Sequence, residues 1–288
     1  MGVFTQDYRL VQQIRSEAAN ATITAQRLRG NITLLTGSGG NIAVLPGPDG
    51  KLIVDAGIPA AKTRMTDALA NVSADPVKCL VNTHWHFDHT DGNEWLHSLG
   101  ATIIAHENTR KHLAMDTRVE DWDFTFPASP EGALPSEVFA DERTLHWNGM
   151  NIVLSHYAPA HTDSDISVHF TDVDVLHVAD TWWNGVYPFI DYSTGGSLDG
   201  TIRAAELNLA KAGPETIIIP GHGPAGDKTQ LARFADLLKV MREKVSALKK
   251  QGMSLEEVIA ARPTSAYDAE WGSLVPPSLF AILVYEGV

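Results

Sequence analysis

The chain has 288 residues, 44% of them hydrophobic and 20% charged, a globular balance that argues against a disordered chain, a collagen or a coiled-coil rod. A net charge of −13 and a pI near 5.3 argue against nucleic acid and anionic membrane as partners, since both attract cations. The single cysteine, Cys79, excludes an intrachain disulfide framework and a thiolate metal cluster, so the unusual count is the twelve histidines.

Residues 1–30 read as a polar, helix-prone arm lacking the apolar core of a signal peptide. No later stretch approaches the roughly 18 apolar residues of a membrane span. The expected location is cytoplasmic, or periplasmic if an export signal has been removed. Short apolar runs at Ile32–Thr36, Asn41–Leu45 and Leu52–Val54, punctuated by GSGG and PGPDG, predict a β-meander. A helix over Ala60–Val72 and a buried strand over Val77–Asn82 follow. Next come a short helix near Gly92–Ser98, a strand at Thr102–Ala105 and a helix from Glu107 to Met115. Asp121–Pro135 carries three prolines and several aromatics without periodicity and reads as a long covering loop. Strands resume at Asn151–Tyr157, Ile166–Phe170 and Val173–Val178, then a helix at Leu198–Ala212, a strand at Thr216–Ile219 and a long helix at Lys228–Lys250. In that helix Leu231, Phe234, Leu238, Met241, Val245 and Leu248 form one stripe, the pattern of a helix packed on its own core. A quotient of about 150 residues per domain suggests two domains. The alternation without linker or repeat favours instead one layered α/β domain over 1–288, with sheets inside and helices outside.

The histidines are organised. In Leu80-Val-Asn-Thr-His-Trp-His-Phe-Asp-His-Thr90 a strand gives way to a loop. Side chains two apart on extended backbone point the same way, so His84 and His86 converge; after the turn, Asp88 and His89 project from adjacent residues. Three imidazoles and a carboxylate within six residues suit a borderline-soft divalent ion such as zinc. Chance supplies H-x-H-x-D-H roughly once in a thousand chains of this size. His161, Asp180 and His222 each fall where a predicted strand ends, and such ends are where α/β folds assemble sites. The glycines flanking His222 let backbone approach a ligand closely.

With these residues in view, the chain from about Ile32 to His222 resembles the metallo-β-lactamase-fold hydrolases. All five spaced elements are present: the aspartate of Val54-Asp55-Ala-Gly57, the His84–His89 cluster, His161, Asp180 and His222. The resemblance implies an αββα sandwich with two metals at one edge of the sheets. One metal would take His84, His86 and His161; the other Asp88, His89 and His222; Asp180 would bridge them and Asp55 would support the site from behind. An aspartate at the bridging position looks more like the glyoxalase II, lactonase and phosphodiesterase branches than the true lactamases, which usually carry cysteine or serine there. His86 argues against the flavodiiron oxidoreductases, which have glutamate at that position.

Two divalent ions, zinc by preference with iron or manganese as alternatives, would sit among five neutral imidazoles, two carboxylates and a hydroxide, leaving a net charge of about +1. Such a centre supplies a metal-bound hydroxide near neutrality and stabilises an oxyanion. Asp88 would orient it and shuttle a proton. The expected activity is hydrolysis of a small ester, lactone, thioester or amide. The alternatives are β-lactamase activity in the same fold and a mononuclear-iron sulfur dioxygenase, which needs only a subset of the ligands. The expected partner is a small molecule, with no nucleic acid and no membrane, and the oligomeric state is open. Trp182, Trp183 and Tyr187 directly follow Asp180 and are candidate pocket walls, with Tyr187 a candidate donor to an oxyanion. The other seven histidines lack companions at ligand spacing, and Cys79 reads as a small buried hydrophobe.

Overall fold

The structure, a computed structural model, describes residues 8–288. Its strands, in chain order, are β1 (Thr24–Arg27), β2 (Thr33–Thr36), β3 (Ile42–Leu45), β4 (Lys51–Val54), β5 (Val77–Val81), β6 (Thr102–His106), β7 (Thr117–Val119), β8 (Phe124–Phe126), β9 (Glu137–Phe139), β10 (Glu142–Trp147), β11 (Met150–His156), β12 (Ile166–Phe170), β13 (Val175–Trp183) and β14 (Ile217–His222). They form a seven-stranded sheet, β1-β2-β3-β4-β5-β6-β9, a five-stranded sheet, β10-β11-β12-β13-β14, and the hairpin β7-β8. With the helices this is a mixed α/β fold.

In the larger sheet β1 to β4 are antiparallel and β4, β5, β6 and β9 are parallel. The meander needs only tight turns, whereas each parallel step needs a crossover. Helix Lys62–Val72 supplies the one from β4 to β5, burying Met65 and Leu69. β3 and β4 are buried at every position, the signature of strands covered on both faces.

The chain divides into two compact units, one running to Tyr157 and including Ser164–His177, the other formed by Ala158–Asp163 and Val178–Val288. In the first, a core of Leu35, Ile42, Val44, Ile53, Leu80 and Ile103 is closed by Met65, Leu69, Trp95 and Leu96 from helices. In the second, the long helix Lys228–Lys250 buries Leu231, Phe234, Leu238, Met241 and Val245. It is opened by a capping box, in which Asp227 Oδ1 accepts from the Gln230 amide at 2.9 Å and Gln230 Oε1 accepts from the Asp227 amide at 3.1 Å.

Several elements differ from the sequence reading. The arm holds helix Tyr8–Ala18 but also β1, whose four residues are all exposed and so show no hydrophobic alternation. Asp121–Pro135 is not one loop: β8 lies within it and pairs with β7, bringing Trp122 to the turn. β13 does not stop at Val178 but runs through Asp180 to Trp183, with Ala179 in the left-handed region at φ 45°. Beyond Lys250 the chain forms three more helices, Leu255–Ala261, Asp268–Trp271 and Pro277–Glu286. Among the described residues, no helix is long and apolar enough to cross a membrane.

Candidate metal centre

In the first unit the ligand run begins just past β5. Buried Asn82 and Thr83 carry the chain to His84, and Asn82 exchanges amide hydrogen bonds of 2.9 Å with Asn93 in both directions. His84 and His86 come together as their spacing predicts: their ligand atoms lie within 4.8 Å and their rings 4.9 Å apart. The chain then turns into the short helix Phe87–Thr90, held by the Thr90 hydroxyl donating to the carbonyls of Trp85 and His86 at 3.0 Å. That turn brings the His89 ring 4.3 Å from His84 and places Asp88 Oδ2 3.5 Å from His89 Nε2. Asp88 keeps 14% of its side-chain surface, while His84 and His89 are fully buried.

Asp55 anchors the group from just past β4, with its own backbone in the left-handed region at φ 66°. Its carboxylate accepts from the Thr83 amide at 2.8 Å, the Thr83 hydroxyl at 2.7 Å and His89 Nδ1 at 2.7 Å. This network sets the tautomers. The only proton on the Thr83 hydroxyl goes to Asp55, so at 3.1 Å its oxygen accepts from His84 Nδ1. His84 and His89 are both protonated at Nδ1 and offer the Nε2 lone pair, the form a metal requires. The Gly39–Gly40 backbone lies against the same ligands, Gly40 N donating to the Asp88 carbonyl at 3.1 Å. A Cβ on Gly40 would come within 2.1 Å of the His89 ring, so only glycine fits there.

The second unit holds the other three candidates. His161 Nδ1 donates to the Phe189 carbonyl at 2.9 Å, again leaving Nε2 as the lone-pair nitrogen. Asp180 lies in β13 directly after Ala179, and His222 ends β14. One oxygen, Asp180 Oδ2, stands 3.5 Å from His161 Nε2 and 3.4 Å from His222 Nε2. A tetrahedral ion with bonds of about 2.1 Å has ligand–ligand edges of roughly 3.4 Å, so each separation matches two ligands of one ion, with the carboxylate oxygen common to both. Gly221 shapes this cradle: a Cβ there would sit 1.9 Å from Asp180 Oδ1. Nitrogen and carboxylate donors without sulfur fit a borderline or hard divalent ion.

Aromatic side chains surround both groups. Trp122, from the β7–β8 turn, stands 5.0 Å from the His86 ring and packs edge-on to Phe87 at 5.8 Å, so part of the expected covering loop does lie on a candidate ligand. Trp183 lies 4.2 Å from the His222 ring, and Trp182 is fully buried. Tyr187 is fully buried too, but its hydroxyl hydrogen-bonds to Asp268 at 3.0 Å and to the Thr264 carbonyl at 3.3 Å, and its ring stacks on Phe280. That hydroxyl serves packing of the second unit. Burial, then Asp268, holds it well above the usual phenol range.

Other histidines have structural engagements. His177 Nε2 bonds the Asn41 carbonyl at 3.1 Å, His97 Nδ1 the Ala101 carbonyl at 3.2 Å, and His106 stacks on His156 at 3.7 Å. Cys79 is 1% exposed, and burial pushes its thiol up to about 12. Residue-type reasoning missed Thr83, Asn93, Gly40 and the Phe189 carbonyl. Only the proximity of Thr83 to the histidine run hinted at any of them.

The sequence profile of the Metallo-beta-lactamase superfamily matches residues 35–222, and the chain belongs to that superfamily. The fold is shared with a metallo-beta-lactamase from Pontibacter korlensis, at TM-score 0.59 and 19% identity over 75% of this chain and 99% of that one. It is shared also with the DIM-1 metallo-beta-lactamase, at TM-score 0.58 and 22% identity over 75% and 97%. The stereoselective inverting sec-alkylsulfatase Pisa1 from Pseudomonas sp. matches at TM-score 0.65 and 15% identity over 89% of this chain; the chain spans about half of that enzyme, 48%.

Proposed function

We propose that the chain is a dinuclear metal-dependent hydrolase of small esters, lactones, thioesters or amides. The observation that carries this reading is the single Asp180 oxygen lying 3.4–3.5 Å from two imidazole nitrogens, the relation expected of a carboxylate shared by two ions. Superfamily membership and the Nδ1-anchored tautomers support it. In this proposal His84, His86 and His161 hold one ion and Asp88, His89 and His222 the other, with Asp180 common to both and Asp55 behind them. Bound there, divalent ions would make a water acidic enough to attack near neutrality and would polarise a substrate oxygen.

The protein's own contribution is positional. Asp55 and Thr83 keep the lone pairs of His84 and His89 on Nε2, and Phe189 does the same for His161. Asp88, whose side chain keeps 14% of its surface, would orient the attacking water and carry its proton to the leaving group. The −13 charge favours small substrates over polyanions.

Metal analysis of purified protein, combined with a panel of ester, lactone, thioester, amide, phosphodiester and chromogenic β-lactam substrates, tests the reading. We expect two divalent ions per chain and carboxyl-ester-type hydrolysis, with both lost in Asp180→Ala. Cleavage of the β-lactam alone would reassign the chain to the lactamases. One iron with oxygen uptake would overturn hydrolysis in favour of the dioxygenase.

A further inference from the structure

Trp183 combines three features. It lies three residues after Asp180 on the same strand; its ring stands 4.2 Å from His222 and 6.3 Å from His161; and only 6% of the residue is exposed. Its indole nitrogen is buried and has no hydrogen-bond acceptor among the described residues. An indole N–H can donate and cannot accept, and a buried donor without a partner is costly enough that folded proteins rarely retain one. Trp182 has an unpartnered nitrogen as well. Its six-membered ring, however, packs by Gly226, where a Cβ would come within 2.8 Å of Cη2, and no close ring pairing joins it to His161 or His222.

We propose that Trp183 is a substrate-binding residue whose indole N–H donates a hydrogen bond to an acyl or carboxylate oxygen held beside His222 and Asp180. The inference deepens the hydrolase reading, on which it rests, by assigning a polar contact to the pocket wall. A donor-only group set in an aromatic face selects substrates with an exposed carbonyl-type oxygen next to an apolar or aromatic group. It disfavours those presenting a hydroxyl or amine donor at that point, because the two donors would face each other. The residue holds no ion in this scheme, so its effect separates from metal loading.

Trp183→Phe keeps an aromatic ring and removes the donor. Zinc-loaded wild type and W183F are compared for metal content, for acetate affinity by calorimetry and for kcat/KM on p-nitrophenyl acetate. We expect unchanged metal content, acetate affinity weaker by about tenfold and kcat/KM lower by a similar factor. Equal acetate affinity and equal kcat/KM in a metal-replete W183F would overturn the proposal. If the wild type hydrolyses nothing, the hydrolase reading fails, while the acetate comparison still decides the role of Trp183. If W183F does not fold, ¹⁵N-indole spectra of the wild type replace it. One of the seven tryptophan N–H signals is expected to move downfield as acetate is added. Seven unmoved signals in that titration would refute the proposal.

Discussion

Asp55 is the residue on which the ligand geometry turns. It is fully buried and makes three hydrogen bonds, one of them to His89 and two to Thr83, which in turn bonds His84. Asp55→Asn preserves shape but turns one acceptor oxygen into a donor facing donors. Metal affinity is expected to fall by about 10- to 100-fold, as measured by chelator competition. Gly221 is a second such point. Gly221→Ala would set a methyl 1.9 Å from Asp180 Oδ1, so the carboxylate must move and metal stoichiometry should drop while the far-ultraviolet circular dichroism is retained. Cys79 gives the opposite expectation: its thiol, raised to about 12 chiefly by burial, stays protonated at pH 8. Iodoacetamide should leave native protein unlabelled at that pH and label it only in denaturant.

Elements differ in how plainly the sequence announces them. The six-residue motif His84–His89 was legible because strand period and a following turn both bear on where those side chains go. His161, Asp180 and His222 were legible only as strand ends, and Asp180 proves to lie inside β13, where the left-handed Ala179 interrupts the strand. β1 and β10 were not legible: their outward positions carry polar residues and little alternation survives. Helix Leu255–Ala261 did have a signal in Ser254-Leu-Glu-Glu257, a reciprocal capping box with Ser254 N to Glu257 Oε2 at 2.8 Å. Ser254→Ala should cost about 1 kcal/mol in denaturant unfolding. The hairpin β7–β8 was hidden by prolines and irregular aromatics, and its spatial role came only with Trp122 beside His86. Trp122→Ala is expected to loosen His86 and weaken metal retention several-fold, read by dialysis against chelator.

For the whole molecule, the layered α/β class was readable from the alternation of strand and helix patterns and the family from the resemblance carried by a handful of histidines and aspartates, while the division into two compact units was not. Composition describes a chain's average and carries no trace of where its contacts thin. Metal binding by the folded chain alone should couple site to stability: at a free ion concentration 100 times Kd, one site adds about 2.7 kcal/mol. Stripping with chelator is therefore expected to lower Tm in thermal melts, and an unchanged Tm would mean that the ions are absent or bind the unfolded chain equally well.

β13 is buried at all nine positions, whereas β1 is exposed at all four. A strand sealed on both faces has no side on which sequence can drift. In a saturation library selected for function, Val175–Trp183 should appear as an unbroken band of intolerance, with charged replacements purged at every step. Thr24–Arg27 should accept nearly anything compatible with extended backbone. The strand that carries Asp180 and Trp183 is thus also a stretch with little freedom to change.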